Sequence, residues 1–561
     1  MNNAAIPHII TSSLHPIPTA ANHCPVCELY HPNLVHSFNP VYEADIIQSI
    51  CEVNPDWKPA DGICSRCYDE FDATTYHEYR CLDKSVEDFK LKHLDFYILP
   101  IPERLNADQT FTGKGVTICF IDSGFYLHPD IKERVTHIMD ITNKENTAEY
   151  FELSHENAWH GTMTATVCAG NGKLSHGLYR GLAKDAELVL IKTQNEEDKI
   201  TDENIVKALK WVLANHKQYN IRILNLSLSG DVNTALYLNE INSLAEQLFE
   251  QNVLVIAAVG NNENGTILPP ASSPHVVAVG GLDDQNKLDG DIILYHSTYG
   301  ITIDGLSKPE LISNAIWLPA PILPCTNTHK KATVFFKAMD DEDYLAAILE
   351  NNSELLKEEH VNLFDGKEKI WKEVKKIVWK EKFISPDYMH VDGTSFAAPI
   401  VSSVAAQMLE ANPQLTANEI RQVLFQTAEP LATYDVARQG YGRLQPKVAV
   451  YSVIERKALR YTEDSPIVNK KAKKLTFYIH CTGVKKGVSL GLSYHNWKQN
   501  QIFLKPCEND FWYVDIPMLP NGRYEYKFIV DNSYWVEDVS NPWRTLDNHG
   551  KWNSVFEISD N

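Results

Sequence analysis

The run Gly393-Thr394-Ser395-Phe396-Ala397-Ala398-Pro399 constrains this chain more than any other. A Gly-Thr-Ser turn opens an apolar stretch that continues through Ile400-Val401 and Val404-Ala405-Ala406. The pattern predicts a largely buried helix with Ser395 in its first turn. There the hydroxyl lies near unpaired backbone N–H groups and the positive end of the helix dipole. Such a place suits a nucleophile whose reaction creates an oxyanion. A serine alone is only an alcohol, however; it needs a base, and the base needs an orienting acid.

Both lie upstream. Gly115-Val116-Thr117-Ile118-Cys119-Phe120-Ile121 is the apolar, β-rich run of a buried parallel strand. It ends in Asp122-Ser123-Gly124, so a carboxylate stands at a strand's C-terminal end, where open α/β sheets place their sites. Trp159-His160-Gly161-Thr162 then brings a histidine into a helix of small residues. Asn252 to Gly260 forms another buried strand, closed by Asn261, whose amide suits a developing oxyanion. Singly, each has a plain reading: Asp122 as a turn residue, His160 as structural, Ser395 as a helix cap. Together, in the order Asp122, His160, Ser395, they make an acid–base–nucleophile set with an oxyanion donor.

Residues from about Arg104 to Val450 resemble the subtilases, the subtilisin-like serine peptidases. The matching pieces are Thr112-Gly113-Lys114-Gly115-Val116, Ile121-Asp122-Ser123-Gly124, His128-Pro129-Asp130-Ile131, His160-Gly161-Thr162, Asn225 to Gly230, Val259-Gly260-Asn261 and Gly393 to Pro399. The resemblance implies that Asp122 orients His160, that His160 is general base then acid, and that Ser395 is the nucleophile. It places Asn261 in the oxyanion hole. It also implies that Ser227-Leu228-Ser229 pairs with extended substrate by β-augmentation, and that Ala258-Val259-Gly260 walls the primary specificity pocket.

At 561 residues the chain is too long for one compact domain. A net charge of −21 argues for solubility and against nucleic acid as partner. No apolar run reaches the length of a membrane span. The first twenty residues hold no Lys or Arg and do not read as a secretory signal, which leads us to expect a cytoplasmic protein whose eleven cysteines are reduced or metal-bound.

Three modules are expected. Residues 1–95 carry a flexible arm over 1–22 and two Cys-x-x-Cys knuckles, Cys24-Cys27 and Cys64-Cys67, with Cys51 and Cys81 nearby. Four thiolates in two tight turns match a structural zinc site; a disulfide or redox pair, or two unrelated knuckles, is the alternative. His31, His36 or Cys51 could replace a knuckle cysteine. Residues 96–454 form the peptidase, an α/β domain with a parallel sheet and helices on both faces. Strands are expected over 115–121, 186–192, 221–228, 253–259 and 275–279, and helices over 202–219, 233–250 and 417–426. An insertion over about 325–389 carries two amphipathic helices, 340–358 and 366–382, the second crowded with seven lysines. It is either a packed surface element or a lid, since it feeds directly into the Ser395 turn. The acidic loop Gln194 to Asp198 is a solvated turn or a selector of basic substrate residues. No ligand cluster is clear enough to assign calcium.

After a charged linker, 455–474, residues 475–561 are all-β and suggest a small sandwich. This segment resembles the glycogen-binding module of the AMP-activated protein kinase β-subunit. The pieces are Ser493 to Trp497, Leu519-Pro520-Asn521-Gly522, Tyr526 to Asp531, Trp535-Val536-Glu537-Asp538 and Trp552-Asn553-Ser554-Val555. The resemblance implies that Trp497, Lys527, Trp535 and Asn553 contact an α-glucan. Two indole faces would cover sugar rings while lysine and asparagine bond hydroxyls. The whole reads as a serine endopeptidase targeted to α-glucan, acting on protein or peptide. The alternative is a carbohydrate-binding scaffold with a silenced or zymogen-like peptidase domain.

Overall fold

A computed structural model describes residues 24–26, 44–64, 67–68, 71, 86, 89–90, 92–288, 290–340, 345–356, 361–363, 365–454, 464–481, 483–507 and 510–559. They fall into two compact units. One joins Met1–Lys84, Gln426–Pro430 and Arg456–Asn561; the other joins Ser85–Phe425 and Leu431–Glu455. No helix among the described residues is long and apolar enough to cross a membrane.

In the N-terminal module one helix, α1 (Ala44–Val53), places Ile46 and Ile50 against Trp57 and Ile63 around Cys24, Cys64 and Cys67. The expected arm over 1–22 and Cys27, His31, His36 and Cys81 lie outside the described residues.

The larger unit is built on β1 (Thr117–Asp122), β2 (Val135–Asp140), α2 (Trp159–Ala169), β3 (Glu187–Lys192), α3 (Asp202–Asn215), β4 (Ile221–Leu226), α4 (Glu240–Glu250), β5 (Leu254–Ala258), β6 (Val277–Asp283) and β7 (Leu311–Asn314). The strand order β7-β6-β5-β4-β1-β3-β2 is parallel throughout, with Ile293–Leu294 added antiparallel to β6. Every residue of β1 is buried, as an apolar strand covered on both faces requires. The helix expected over 233–250 begins only at 240. Asn239 stops it, because its side chain accepts from the Asn242 N–H at 3.1 Å and caps the first turn.

Antiparallel strands β8 (Leu318–Pro321) and β9 (Tyr388–Val391) carry the insertion as their connecting loop. Its helices are α5 (Asn327–Asp340), α6 (Leu345–Glu350) and α7 (Lys367–Lys380). The sequence pattern missed α5; Thr326 starts it by accepting from the His329 N–H at 3.2 Å. Phe335, Phe336, Val374 and Val378 form a satellite core that also takes Phe96. The α7 lysines have partners on the solvent side, including Lys369–Asp365, Lys372–Glu368 and Lys376–Glu373. Pairs of this kind stabilise a helix only slightly. After the insertion come α8 (Thr394–Ala411) and α9 (Ala417–Thr427), with α8 packed against α2, β4, β5 and β6.

The C-terminal module is a two-sheet sandwich. One sheet orders β10 (Ile467–Asn469), β11 (Lys474–His480), β14 (Lys505–Pro506) and β15 (Phe511–Pro517) as β10-β11-β15-β14. The other takes β12 (Val488–Leu492), β13 (Ile502–Phe503), β16 (Gly522–Val530), β18 (Arg544–Leu546) and β19 (Trp552–Ile558) as β13-β12-β16-β19-β18, with β17 (Tyr534–Val536) on β16. Leu475, Phe477, Leu490, Tyr526, Phe528 and Phe556 fill the space between them. Strand β10 falls inside the stretch expected to be linker.

Candidate functional site

Asp122 ends β1 and is 1% exposed. Its Oδ1 accepts from His160 Nδ1 and from the Ser123 N–H, each at 2.7 Å, and Thr164 Oγ1 donates to Oδ2 at 3.3 Å. His160 is brought this close by Gly161. A Cβ at Gly161 would stand 2.3 Å from the Gly124 carbonyl and 2.9 Å from Asp122 Cβ. Only glycine lets α2 press against the turn after β1. Burial alone would lower the imidazole pKa, but the Asp122 charge and hydrogen bond outweigh it and hold His160 above its ordinary value. The other ring nitrogen of His160 has no hydrogen-bond partner among the described residues. Phe396, on the first turn of α8, lies 5.6 Å from the imidazole ring.

The turn before α8 is held from several sides. The Gly393 N–H donates to the Ala315 carbonyl at 2.7 Å. Asn261 Oδ1 accepts from the Thr394 N–H and Oγ1, both at 2.9 Å. Those two bonds fix which end of the amide is oxygen, so Asn261 Nδ2 is the free donor. A Cβ built on Gly393 would lie 3.7 Å from Asn261 Nδ2 and 3.8 Å from the Ser395 N–H nitrogen. Two donors without partners among the described residues thus border the space beside Gly393, with Asn261 Oδ1 also 3.8 Å away. The Gly393 φ of +136° independently favours glycine.

Ser395 itself depends on a proline. In a regular helix its carbonyl would accept from residue 399, but Pro399 has no N–H. Ser227 Oγ replaces that donor at 2.7 Å. Asn225 Nδ2 donates to Ser227 Oγ at 3.0 Å, and Ser402 Oγ donates to Asn225 Oδ1 at 3.0 Å. The Ser395 hydroxyl donates a long bond, 3.4 Å, to the Ser227 carbonyl and none to His160. Leu228 and Ser229 run on past the end of β4, and no strand among the described residues pairs with them. Ala258 ends β5; the Val259 N–H donates to the Val279 carbonyl at 3.1 Å, and Gly260 turns with φ of +109°. Sequence reasoning missed Asn225, Gly161 and Thr394 as supports. Pro399 was the available signal, since it orphans the Ser395 carbonyl.

Residues 113–442 match the family model described as Subtilase family. The chain belongs to the subtilase family. Serine protease AprX of Bacillus subtilis (strain 168) is 28% identical over 338 residues, 57% of this chain and 63% of that protein. A cuticle-degrading serine protease of Orbilia oligospora is 26% identical over 200 residues, 36% of this chain and 43% of its own. This subtilase therefore spans less than two thirds of the length of these curated relatives. Among solved structures, Sphericase aligns at a TM-score of 0.41 and 19% identity, over 62% of this chain and 98% of its own. Residues 477–561 match the model described as Glycogen recognition site of AMP-activated protein kinase.

In that C-terminal module the strand register gathers the sugar candidates. Tyr526 and Phe528 of β16 point into the core, so Lys527 faces outward. Trp535 pairs with Ile529, and Asn553 lies on β19 beside the inward Ser554, so both share that outer face. Trp497 meets Trp535 at 6.0 Å between centroids. Its φ of +56° is rare for a bulky side chain, a strain that concentrates at functional sites. Gly491 makes room beneath: a Cβ there would come within 2.5 Å of the Trp535 ring. Lys527 and Asn553 are only 6% and 5% exposed. Lys527 Nζ bonds Asp547 at 3.3 Å and Asn553 Nδ2 bonds Glu525 at 2.7 Å. Neither carboxylate was singled out from the sequence.

In the N-terminal module the thiols of Cys24, Cys64 and Cys67 are buried within 4.8 Å of one another. Burial and the neighbouring thiols bear on Cys64, whose pKa is raised overall. Three converging sulfurs fit a thiophilic cation, and ligation would require them to shed protons.

Proposed function

We propose that this subtilase is a serine endopeptidase acting on extended polypeptide segments through an acyl-enzyme intermediate. Asp122 holds His160 in the tautomer that leaves its second nitrogen free to take a proton. Substrate lies along Ser227-Leu228-Ser229, with Ala258-Val259-Gly260 at the pocket for the residue before the scissile bond. Its backbone N–H takes the Ser227 carbonyl and displaces the Ser395 hydroxyl toward His160. His160 removes the hydroxyl proton as Ser395 Oγ attacks the carbonyl carbon. The oxyanion is met by Asn261 Nδ2 and the Ser395 N–H. His160 then returns the proton to the leaving amine, and water releases the acyl group by the same route. What carries this reading is the pairing of Asp122 with His160, together with two donors around Gly393 that have no partners among the described residues. Incubation of unfolded polypeptides with the full chain should yield fragments with new N-termini, and Ser395→Ala should yield none. Equal cleavage by both would refute it.

The outer face with Trp497, Lys527, Trp535 and Asn553 supports binding of an α-glucan, which co-sedimentation with glycogen tests. The three clustered thiols, with Cys27 as fourth ligand, support a structural zinc ion that ties the two knuckles together and contributes to folding. About one zinc per chain by elemental analysis, lost in Cys64→Ser, is the expected result. A reducing compartment such as the cytoplasm, where thiols stay available to ligate a metal, is the location we propose.

A further inference from the structure

The geometry points to Phe503 as an additional stacking position for the glucan chain, beyond the two tryptophans. This inference rests on reading the outer sheet face as a sugar-binding surface. Phe503 pairs with Ser489, Ser489 with Ile529, and Ile529 with Trp535. Residues directly opposite one another in antiparallel strands project to the same side. Val488 and Leu490 face the core, so Ser489 and with it Phe503 face outward, on the side that carries Trp535. Ile502 packs against the core, which sets Phe503 outward by the alternation of the strand. Phe503 is 55% exposed. Three strand spacings separate its backbone from that of Trp535, about 14 Å.

A hydrogen-bonding group stands between them. Ser489 Oγ donates to Asn500 Oδ1 at 3.4 Å, so the Asn500 amide nitrogen is left as the donor, free of partners among the described residues. Asn500 is held there with φ of +56°. The row thus reads ring, amide donor, ring. Sugar rings offer it alternating apolar faces and hydroxyls. A short oligosaccharide would occupy the Trp497–Trp535 end alone, whereas a longer linear chain crossing the strands would also reach Asn500 and Phe503. The ligand class is therefore an extended linear α-glucan segment rather than a single sugar or short chain end.

The test is calorimetric titration of the full chain with maltotriose and with maltoheptaose. The unaltered protein should bind the longer sugar at least about tenfold more tightly. Phe503→Ala should keep the maltotriose affinity within about twofold and lose most of the gain for maltoheptaose. Phe503→Trp should retain that gain, which separates stacking from a folding defect. An unchanged length dependence in Phe503→Ala would overturn the inference while leaving the sugar face standing. Absence of binding to either sugar by the unaltered protein would overturn the sugar-face reading, and this inference with it.

Discussion

The proposed catalytic centre and the proposed sugar-binding sheet face treat their polar side chains in opposite ways. Around Ser395 the supporting groups are paired with one another and the reactive atoms are left over. Asn261 spends its oxygen on Thr394 and keeps its N–H₂; Asp122 occupies one nitrogen of His160 and leaves the other. On the sugar face the two polar candidates are themselves occupied, Lys527 by Asp547 and Asn553 by Glu525. The first arrangement is preorganised for charge that appears during a reaction. The second leaves its aromatic rings as the readily available surface and shares its two polar side chains with carboxylates. Stacking should therefore dominate there, and catalysis should be lost by single substitutions while sugar affinity erodes by steps.

The largest effect expected is at Asp122. Asp122→Asn should lower kcat by about 10⁴, since the imidazole loses its orienting anion. The pH profile sharpens this. His160 must be neutral to act as base, and its raised pKa places the acid limb of kcat/KM above the ordinary imidazole value of about 6.5. Activity should rise with pH through that point, and an inflection below it would break the account of the pair.

Asn261→Ala should cost about 10²–10³ in kcat with little change in KM, as removal of one oxyanion donor does in subtilisin. A change confined to KM would move Asn261 to substrate binding. Ser227→Ala should orphan the Ser395 carbonyl, lowering stability by about 1–3 kcal/mol. That is readable as a fall in Tm together with slower acylation.

On the sugar side, Trp535→Ala should weaken glucan binding about tenfold or more. Asp547→Asn should strengthen it slightly by loosening Lys527. A larger effect from Asp547→Asn than from Trp535→Ala would invert the contrast drawn above.

The smallest effect expected lies where the insertion returns to the catalytic turn. Lys382, just past α7, pairs with Asp392, and the Trp317 N–H donates to the same carboxylate at 3.2 Å. Burial alone would raise the Asp392 carboxyl, but His390, Lys382 and Trp317 hold it at about 2. Because its folded value is depressed, Asp392 contributes stability above pH 4 that is lost as pH falls towards 2. Lys382→Met should shrink that contribution, seen as a flatter stability curve between pH 4 and 2.

Much of this was legible in the sequence because the informative residues sit at element ends. The apolar run into Asp122 announced both a strand and the point where it stops, and the Gly393-Thr394-Ser395 turn marked the start of a buried helix. What was not legible depended on partners far along the chain. Nothing local told that Ser227 would serve the Ser395 carbonyl 168 positions away. Nor did it tell that Glu525 would hold Asn553, or that Thr326 would begin a helix ahead of the expected pattern. The insertion misled most, since its amphipathic periods are set by a satellite core that includes Phe96, a residue over 200 positions upstream of most of its partners.

The central claim is that Ser395 is an activated nucleophile. Exposure of the full chain to a fluorophosphonate probe tests it directly. The account predicts covalent labelling of Ser395, absent in Ser395→Ala and strongly slowed in Asp122→Asn. A folded protein whose Ser395 stays unlabelled with and without polypeptide substrate and after truncation before Leu91 would contradict it, and would favour a carbohydrate-binding scaffold with a silent peptidase domain.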